Sequence, residues 1–281
     1  MGLGEPGGPP IFHLPELCCA AAGGSPVAAG VIQQAWQMLY AAAHLLDNVE
    51  DGDPLPLAIT SPGQAVRAAT GLIFAAENRL ANLEGTGLSP RAAGDLRRVF
   101  NATIERMCLG QELGEHPSTG DLDALWQAAD LKSGIFFALG CYAGARAAIG
   151  SPKRLASFWE FGCCLGRLIQ VGDDLKDLWP DASGRSDLTD GRPGLPIAYA
   201  LQVLPGAGRD ELHSYIAASR YDPAAEEAAR AIVLKAGGGL YLALETERLR
   251  MEGLRHLNRA CAPGPARESL AAILRQAGGS L

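Results

Sequence analysis

From Pro26 to Asp51 the apolar residues return every three or four positions (PVAAGVIQQAWQMLYAAAHLLDNVED), and the same 3.6-residue rhythm runs through most of the chain. Strict alternation of β-branched residues between Asn-Gly or Asp-Gly turns is missing. The starts of the helical runs are marked. Four Ser-Pro pairs (Ser25-Pro26, Ser61-Pro62, Ser89-Pro90, Ser151-Pro152) and Asp222-Pro223 each precede an Ala/Leu-rich stretch, a capping oxygen followed by proline at the first helical position. Ser61 and Gln64 also have the capping-box spacing. The pattern predicts helices near 26–51, 62–84, 90–113, 121–149, 152–179, 195–204, 209–219, 223–236, 239–260 and 265–276. The expected fold class is all-α, a bundle of long helices.

Between two of these helices, 180–196 (PDASGRSDLTDGRPGLP) is rich in Gly, Pro, Asp and Ser and reads as a long loop of the kind that carries function. It does not read as a linker, because the helices on both sides need a shared core. A single domain over 1–281 is expected, its first 25 residues partly disordered. The uncharged run from Leu17 to Leu46 is broken by Gly23-Gly24-Ser25-Pro26 and interrupted by Gln33, Gln34, Gln37 and His44, so it predicts a buried helix and no transmembrane segment.

Composition narrows the function. With 48% hydrophobic and 20% charged residues the chain is neither disordered nor a coiled coil. A net charge of −7 and the lack of a Lys/Arg run exclude nucleic acid as an expected partner. Seven cysteines without a CxxC read as reduced core thiols of a cytoplasmic protein. Scattered histidines without HExxH give no zinc site.

Two acidic clusters stand out. Asp47-Asn48-Val49-Glu50-Asp51 ends an apolar helix, and on that helix Asp47 and Asp51 share a face. Asp173-Asp174-Leu175-Lys176-Asp177 repeats the arrangement after CCLGRLIQV, with Asp173 and Asp177 on one face. Like charges at this spacing repel and call for a cation. Facing each other, the two would form the all-carboxylate site that Mg²⁺ prefers when a phosphate completes its shell. An EF-hand is excluded, since Val49 and Ala58 would occupy ligand positions three and twelve. No P-loop or dinucleotide fingerprint is present.

With these residues in view the chain resembles the trans-polyprenyl diphosphate synthases, of the class I isoprenoid synthase superfamily. DNVED and DDLKD are similar to that family's two DDxxD motifs. Gly110-Gln111 follows, then LKSGIF at 131–136 (family KTGxLF), then Gln170 three before Asp173 (family FQxxDD), then RSDLTDGRPGLP at 185–196 (family GSDLxEGKxTLP). The tail from Ala260 to Arg275 also resembles the family's last helices. The resemblance implies the isoprenoid synthase fold, long helices around a central cavity. It implies three Mg²⁺ held by Asp47, Asp51, Asp173, Asp174 and Asp177 against an allylic prenyl diphosphate. It further implies that Lys132 and Arg192 contact the diphosphate, that Gln111 and Gln170 line the site, and that the protein is a homodimer. Counting back by turns from Asp47 gives Ala43, Leu39 and Trp36 on one face. In the family the prenyl tail runs along this wall, and small Ala43 leaves room for farnesyl to geranylgeranyl chains.

The sequence departs from the family in three places. The family's Gly-Lys-Arg-x-Arg-Pro, which holds isopentenyl diphosphate, is matched by Gly8-Pro9-Pro10-Ile11-Phe12-His13-Leu14-Pro15, with no Lys or Arg. The paired Arg after the first motif is replaced by Asp53-Pro54-Leu55-Pro56, and Asn48 stands for the middle acid. The diphosphate-ionising half is kept and the acceptor half altered. The expected function is a Mg²⁺-dependent prenyltransferase that ionises an allylic diphosphate. A class I terpene cyclase on the same fold is the alternative, followed by a non-catalytic subunit of a prenyl synthase; five of the six acids being retained argues against the latter.

Overall fold

The computed structural model describes residues 10–115, 121–180, 185–192 and 194–279. The helices are α1 (Leu14–Ala22), α2 (Pro26–Asp51), α3 (Pro62–Ala81), α4 (Pro90–Glu115), α5 (Leu122–Ala129), α6 (Ile135–Arg146), α7 (Pro152–Asp177), α8 (Asp187–Asp190), α9 (Leu195–Val203), α10 (Gly206–Ser219), α11 (Pro223–Lys235), α12 (Gly238–Ala260) and α13 (Pro265–Gln276). Among the described residues there is no strand. Predicted caps form at four of these helix starts. Ser25 accepts from the Val27 N–H, Ser89 from Ala92 and Asp222 from Ala224. Ser61 accepts from the Gln64 N–H, but the Gln64 side chain reaches back to Thr60 rather than to Ser61, so the box closes one residue early.

The structure adds detail to the expectations in three places. The single helix expected over 121–149 is α5 and α6 joined by a wider π turn, Asp130–Gly134. A π turn keeps the backbone hydrogen-bonded and needs no proline, so nothing in the apolar pattern marks it. Within the first 25 residues, Pro10–His13 is a 3₁₀ turn and α1 follows. The start of α1 carries no side-chain cap, which is why it goes unmarked; residues 1–9, and with them Gly8 and Pro9, lie outside the described residues. The loop at 180–196 contains the single turn α8, closed by a capping box in which Ser186 accepts from the Thr189 N–H and Thr189 from the Ser186 N–H. Of that loop, 181–184 and Pro193 lie outside the described residues.

The chain divides into two compact units. The first comprises Met1–Ala102, Leu139–Trp159 and Leu257–Ile273, with Leu14, Ile32, Trp36, Leu80, Leu83, Leu96, Phe100 and Phe158 at its centre. Here Ala42, Leu45 and Ala69 join α2 to α3. A Cβ on Gly144 of α6 would overlap the Pro15 carbonyl oxygen of α1, so only glycine allows these two backbones to touch. The second unit comprises Thr103–Ala138, Glu160–His256 and Leu274–Leu281. In it Leu178, Leu188, Ile197, Leu201, Leu212 and Val233 pack α8 to α11 around the end of α7. Among the described residues no helix is long and apolar enough to cross a membrane.

Candidate functional site

In the first unit, Asp47, Glu50 and Asp51 occupy the last turns of α2, which Gly52 ends in the left-handed conformation (φ 69°). A helix C-terminus is the negative end of the macrodipole, and no basic residue stands in this last turn. Carboxylates here are placed against local electrostatics, as an arrangement built for a cation would be. Asn48, at the middle-acid position, donates its amide to the Pro54 carbonyl at 3.2 Å and so holds the chain that leaves the motif. A carboxylate could not make that bond. Further back, Ala43 is half-buried, whereas Leu39 and Trp36 are buried. Trp36 lies so close to Gly140 of α6 that a Cβ there would stand 2.9 Å from the indole.

In the second unit the last turn of α7 carries Asp173, Asp174 and Asp177, again at a helix C-terminus. The three are not equivalent. Asp173 is half exposed and pairs with Lys176 at 3.1 Å. Asp174 is buried, and its oxygens accept from Gln170 Nε2 and from the Leu195 N–H, both at 2.7 Å. It thereby ties the end of α7 to the start of α9. Burial is the main cause that raises its carboxyl to about 6, against the two hydrogen bonds, with the charges of Asp177 and Asp173 adding to the rise.

Asp187, which the sequence reading did not single out, joins this group. Burial first, then the charges of Asp174, Asp177 and Asp190, push its carboxyl up to about 8, partly offset by Arg192. A Cβ on Gly194 would overlap Asp187 and lie 3.4 Å from Asp174 Oδ2, so glycine makes room for both carboxylates. The available signal was the Ser186–Thr189 capping spacing, which predicts a helical turn with Asp187 at its first position. Arg192 is exposed, and its N–H donates to the Asp187 carbonyl after the left-handed Gly191.

An acid whose folded pKa is raised holds its proton where the unfolded chain has released it. Stability from such groups is full below about pH 4 and is lost as pH rises toward 8. The thermal midpoint of the metal-free protein is therefore expected to fall from pH 5 to pH 8, and to fall less steeply in Asp187→Asn. Parallel curves for the two proteins would show that Asp187 is not the source.

Lys132 lies in the π turn between α5 and α6. Two positions before it, Asp130 receives both arms of the Arg167 guanidinium from α7, the second at 2.7 Å. One position after it, Ser133 donates to Gln170 Oε1 at 3.3 Å. Gln170 thus links the π turn to Asp174, a role its spacing from Asp173 did not reveal. Gln111 is half-buried on α4, next to Gly110, which abuts Leu131.

The donor sets suit one kind of metal. Among the described residues no three His, Cys, Asp or Glu side chains converge to hold an ion unaided. Crowded carboxylates without a closed cage suit a hard cation that takes the rest of its shell from water and phosphate, which is the habit of Mg²⁺ rather than of zinc.

The profile of the polyprenyl synthetase family matches residues 16–233. The chain is 28% identical over 241 residues to a geranylgeranyl diphosphate synthase of Mycobacterium tuberculosis, a match covering 80% of this chain and 67% of that enzyme. It is 25% identical to a short chain isoprenyl diphosphate synthase of Methanothermobacter thermautotrophicus, over 92% of this chain and 82% of that one. Its fold is similar to a crystal structure of geranylgeranyl pyrophosphate synthase from Corynebacterium glutamicum complexed with isoprenyl diphosphate and magnesium. There the TM-score is 0.80 and the identity 19%, with 97% of this chain and 87% of that chain covered.

Proposed function

Because the chain belongs to the polyprenyl synthetase family, an isoprenoid-synthase-fold family of prenyltransferases, we propose that it ionises an allylic prenyl diphosphate with Mg²⁺ and transfers the prenyl group to isopentenyl diphosphate, which it holds weakly. The observation that carries the proposal is the pair of helices, α2 and α7, that each end in carboxylates at the dipole-negative terminus. Asp47, Asp51, Asp173, Asp174 and Asp177 would hold the metal. Asp174 also accepts from Gln170 and from the Leu195 N–H, which ties the end of α7 to the start of α9. The metal supplies neutralisation of the charge that grows on the departing diphosphate.

The chain's own residues do the rest. Lys132 and Arg192 pair with diphosphate oxygens, Gln111 and Gln170 orient the polar end, and Ala43, Leu39 and Trp36 wall the hydrocarbon tail. The C1–O bond breaks with both electrons leaving on the diphosphate. The acceptor's double bond then attacks C1, and a proton is lost from the acceptor. Both named relatives are prenyl diphosphate synthases, and the terpene-cyclase alternative loses its support on that ground. Seven free cysteines agree with a cytoplasmic enzyme, and the family supports a homodimer, which sedimentation would test.

The test is purified protein with Mg²⁺ and farnesyl diphosphate, alone and with isopentenyl diphosphate. The expected result is a product one unit longer in the second tube. No released diphosphate in either would mean a non-catalytic subunit. Two basic clusters are missing from the acceptor side, and losing even one charge-assisted contact of roughly 1.5 kcal/mol from each is expected to raise half-saturation by the acceptor about 100-fold over that of a chain that keeps both clusters. Saturation at low micromolar acceptor would show that other cations have taken over. Arg97 and Arg98 are the candidates, although each already pairs with an acid, Glu77 and Asp95.

A further inference from the structure

The π turn that carries Lys132 is gripped from two sides by elements of its own unit. A Cβ on Gly110 of α4 would stand 2.5 Å from the Leu131 Cβ. One on Gly166 of α7 would overlap the Ser133 carbonyl. Between these contacts two polar links run to α7. Arg167 forks onto Asp130, and Ser133 donates to Gln170, three residues apart on both elements. The same helix, less than two turns further on, carries Asp173 and Asp177.

A π turn holds one residue more than an α turn, so it rotates every side chain beyond it by roughly 100° relative to those before it. Where the extra residue sits therefore decides the direction in which Lys132 points. Such a turn persists only when its surroundings hold it in place. The ion pair is an unpromising stabiliser in its own right, with side chains 30% and 37% exposed, and pairs that open to solvent contribute little to folding. Its bidentate geometry is better suited to fixing a direction.

We propose that Asp130 and Arg167 are positioning residues: their fork pins the first residue of the π turn to the helix bearing the second acidic motif, and thereby aims Lys132 at the substrate diphosphate. This rests on Lys132 being a diphosphate contact. Asp130 and Arg167 touch no substrate themselves. Their effect passes through Lys132 and disappears when the amine is removed.

The experiment is a double-mutant cycle on kcat/KM for farnesyl diphosphate, with Mg²⁺ and saturating isopentenyl diphosphate, using Lys132→Ala, Asp130→Asn and the double variant, with thermal midpoints alongside. Asp130→Asn is expected to lower kcat/KM about tenfold or more in the wild-type background, and by less than twofold once Lys132 is alanine. Midpoints should stay within a few degrees. Arg167→Lys, which keeps the charge and loses the fork, is expected to reproduce the Asp130→Asn defect, and it serves as the readout should Asp130→Asn fold poorly. Unchanged activity in Lys132→Ala would overturn the diphosphate-contact reading itself. A defective Lys132→Ala with normal Asp130→Asn and Arg167→Lys would overturn the positioning role alone. Equal losses from Asp130→Asn in both backgrounds would also overturn it, because a merely structural defect adds to the loss of the amine.

Discussion

Asp173→Ala is expected to lower turnover about 100-fold or more while leaving the fold intact, and Asp47→Ala, Asp51→Ala and Asp177→Ala should do the same. Each removes an oxygen proposed to hold Mg²⁺ against the leaving diphosphate, where charge develops as the C1–O bond breaks. Chelation of the metal should abolish activity in the parent protein and change little in the variants. Stability should move the other way. Asp173 is half exposed at the negative end of a helix, beside Asp174 and Asp177, so its removal relieves repulsion and leaves the midpoint equal or slightly higher. Asp174→Ala is the contrasting case, because it leaves the Leu195 N–H and the Gln170 amide without their acceptor in a buried place. That costs about 1–3 kcal/mol per group, and the midpoint should fall by several degrees. Near-normal turnover in Asp173→Ala would refute the metal assignment. A stable Asp174→Ala would refute the division of labour between the two neighbours.

Ala43→Phe is expected to shift the products from farnesyl and geranylgeranyl length down to about the geranyl stage. Ala43 stands one turn before Asp47 on α2, with Leu39 and Trp36 behind it on the same face. Trp36 is eleven residues from Asp47, about 16 Å along the axis, which suits roughly three isoprene units, with four if Leu39 and Trp36 turn aside. Trp36 is only 1% exposed and is set against Gly140. Ala43 is half-buried, outside the fully buried core, so a larger side chain at this position is expected to cost the fold little. Extracted products should therefore shorten while the midpoint stays nearly constant. An unchanged product profile would mean that the tail runs along other helices.

The long helices and their starts were legible in the sequence because both signals are local. Apolar spacing of three and four defines α2, α4 and α7, and Ser-Pro or Asp-Pro pairs mark where the runs begin. The acidic clusters were legible for the same reason, since i, i+4 placement follows from the helix alone. What lay beyond local reading was every feature decided by a partner distant in the chain. The π turn at Asp130–Gly134 leaves no mark in the pattern, because it is held by Gly110, Gly166 and Arg167 from other helices. Helix α1 went unmarked because it has no capping side chain; its place depends on Gly144 meeting the Pro15 carbonyl. The sequence by itself determined which residues could carry charge to one face of a helix. Only the tertiary structure decided that Asp174 turns inward to Leu195 and Gln170 while Asp173 stays open to solvent, that Asp187 joins them, and that Asn48 holds Pro54. Hydrogen bonds and burial are set by which elements pack together, and adjacent residues on one helix can meet opposite surroundings.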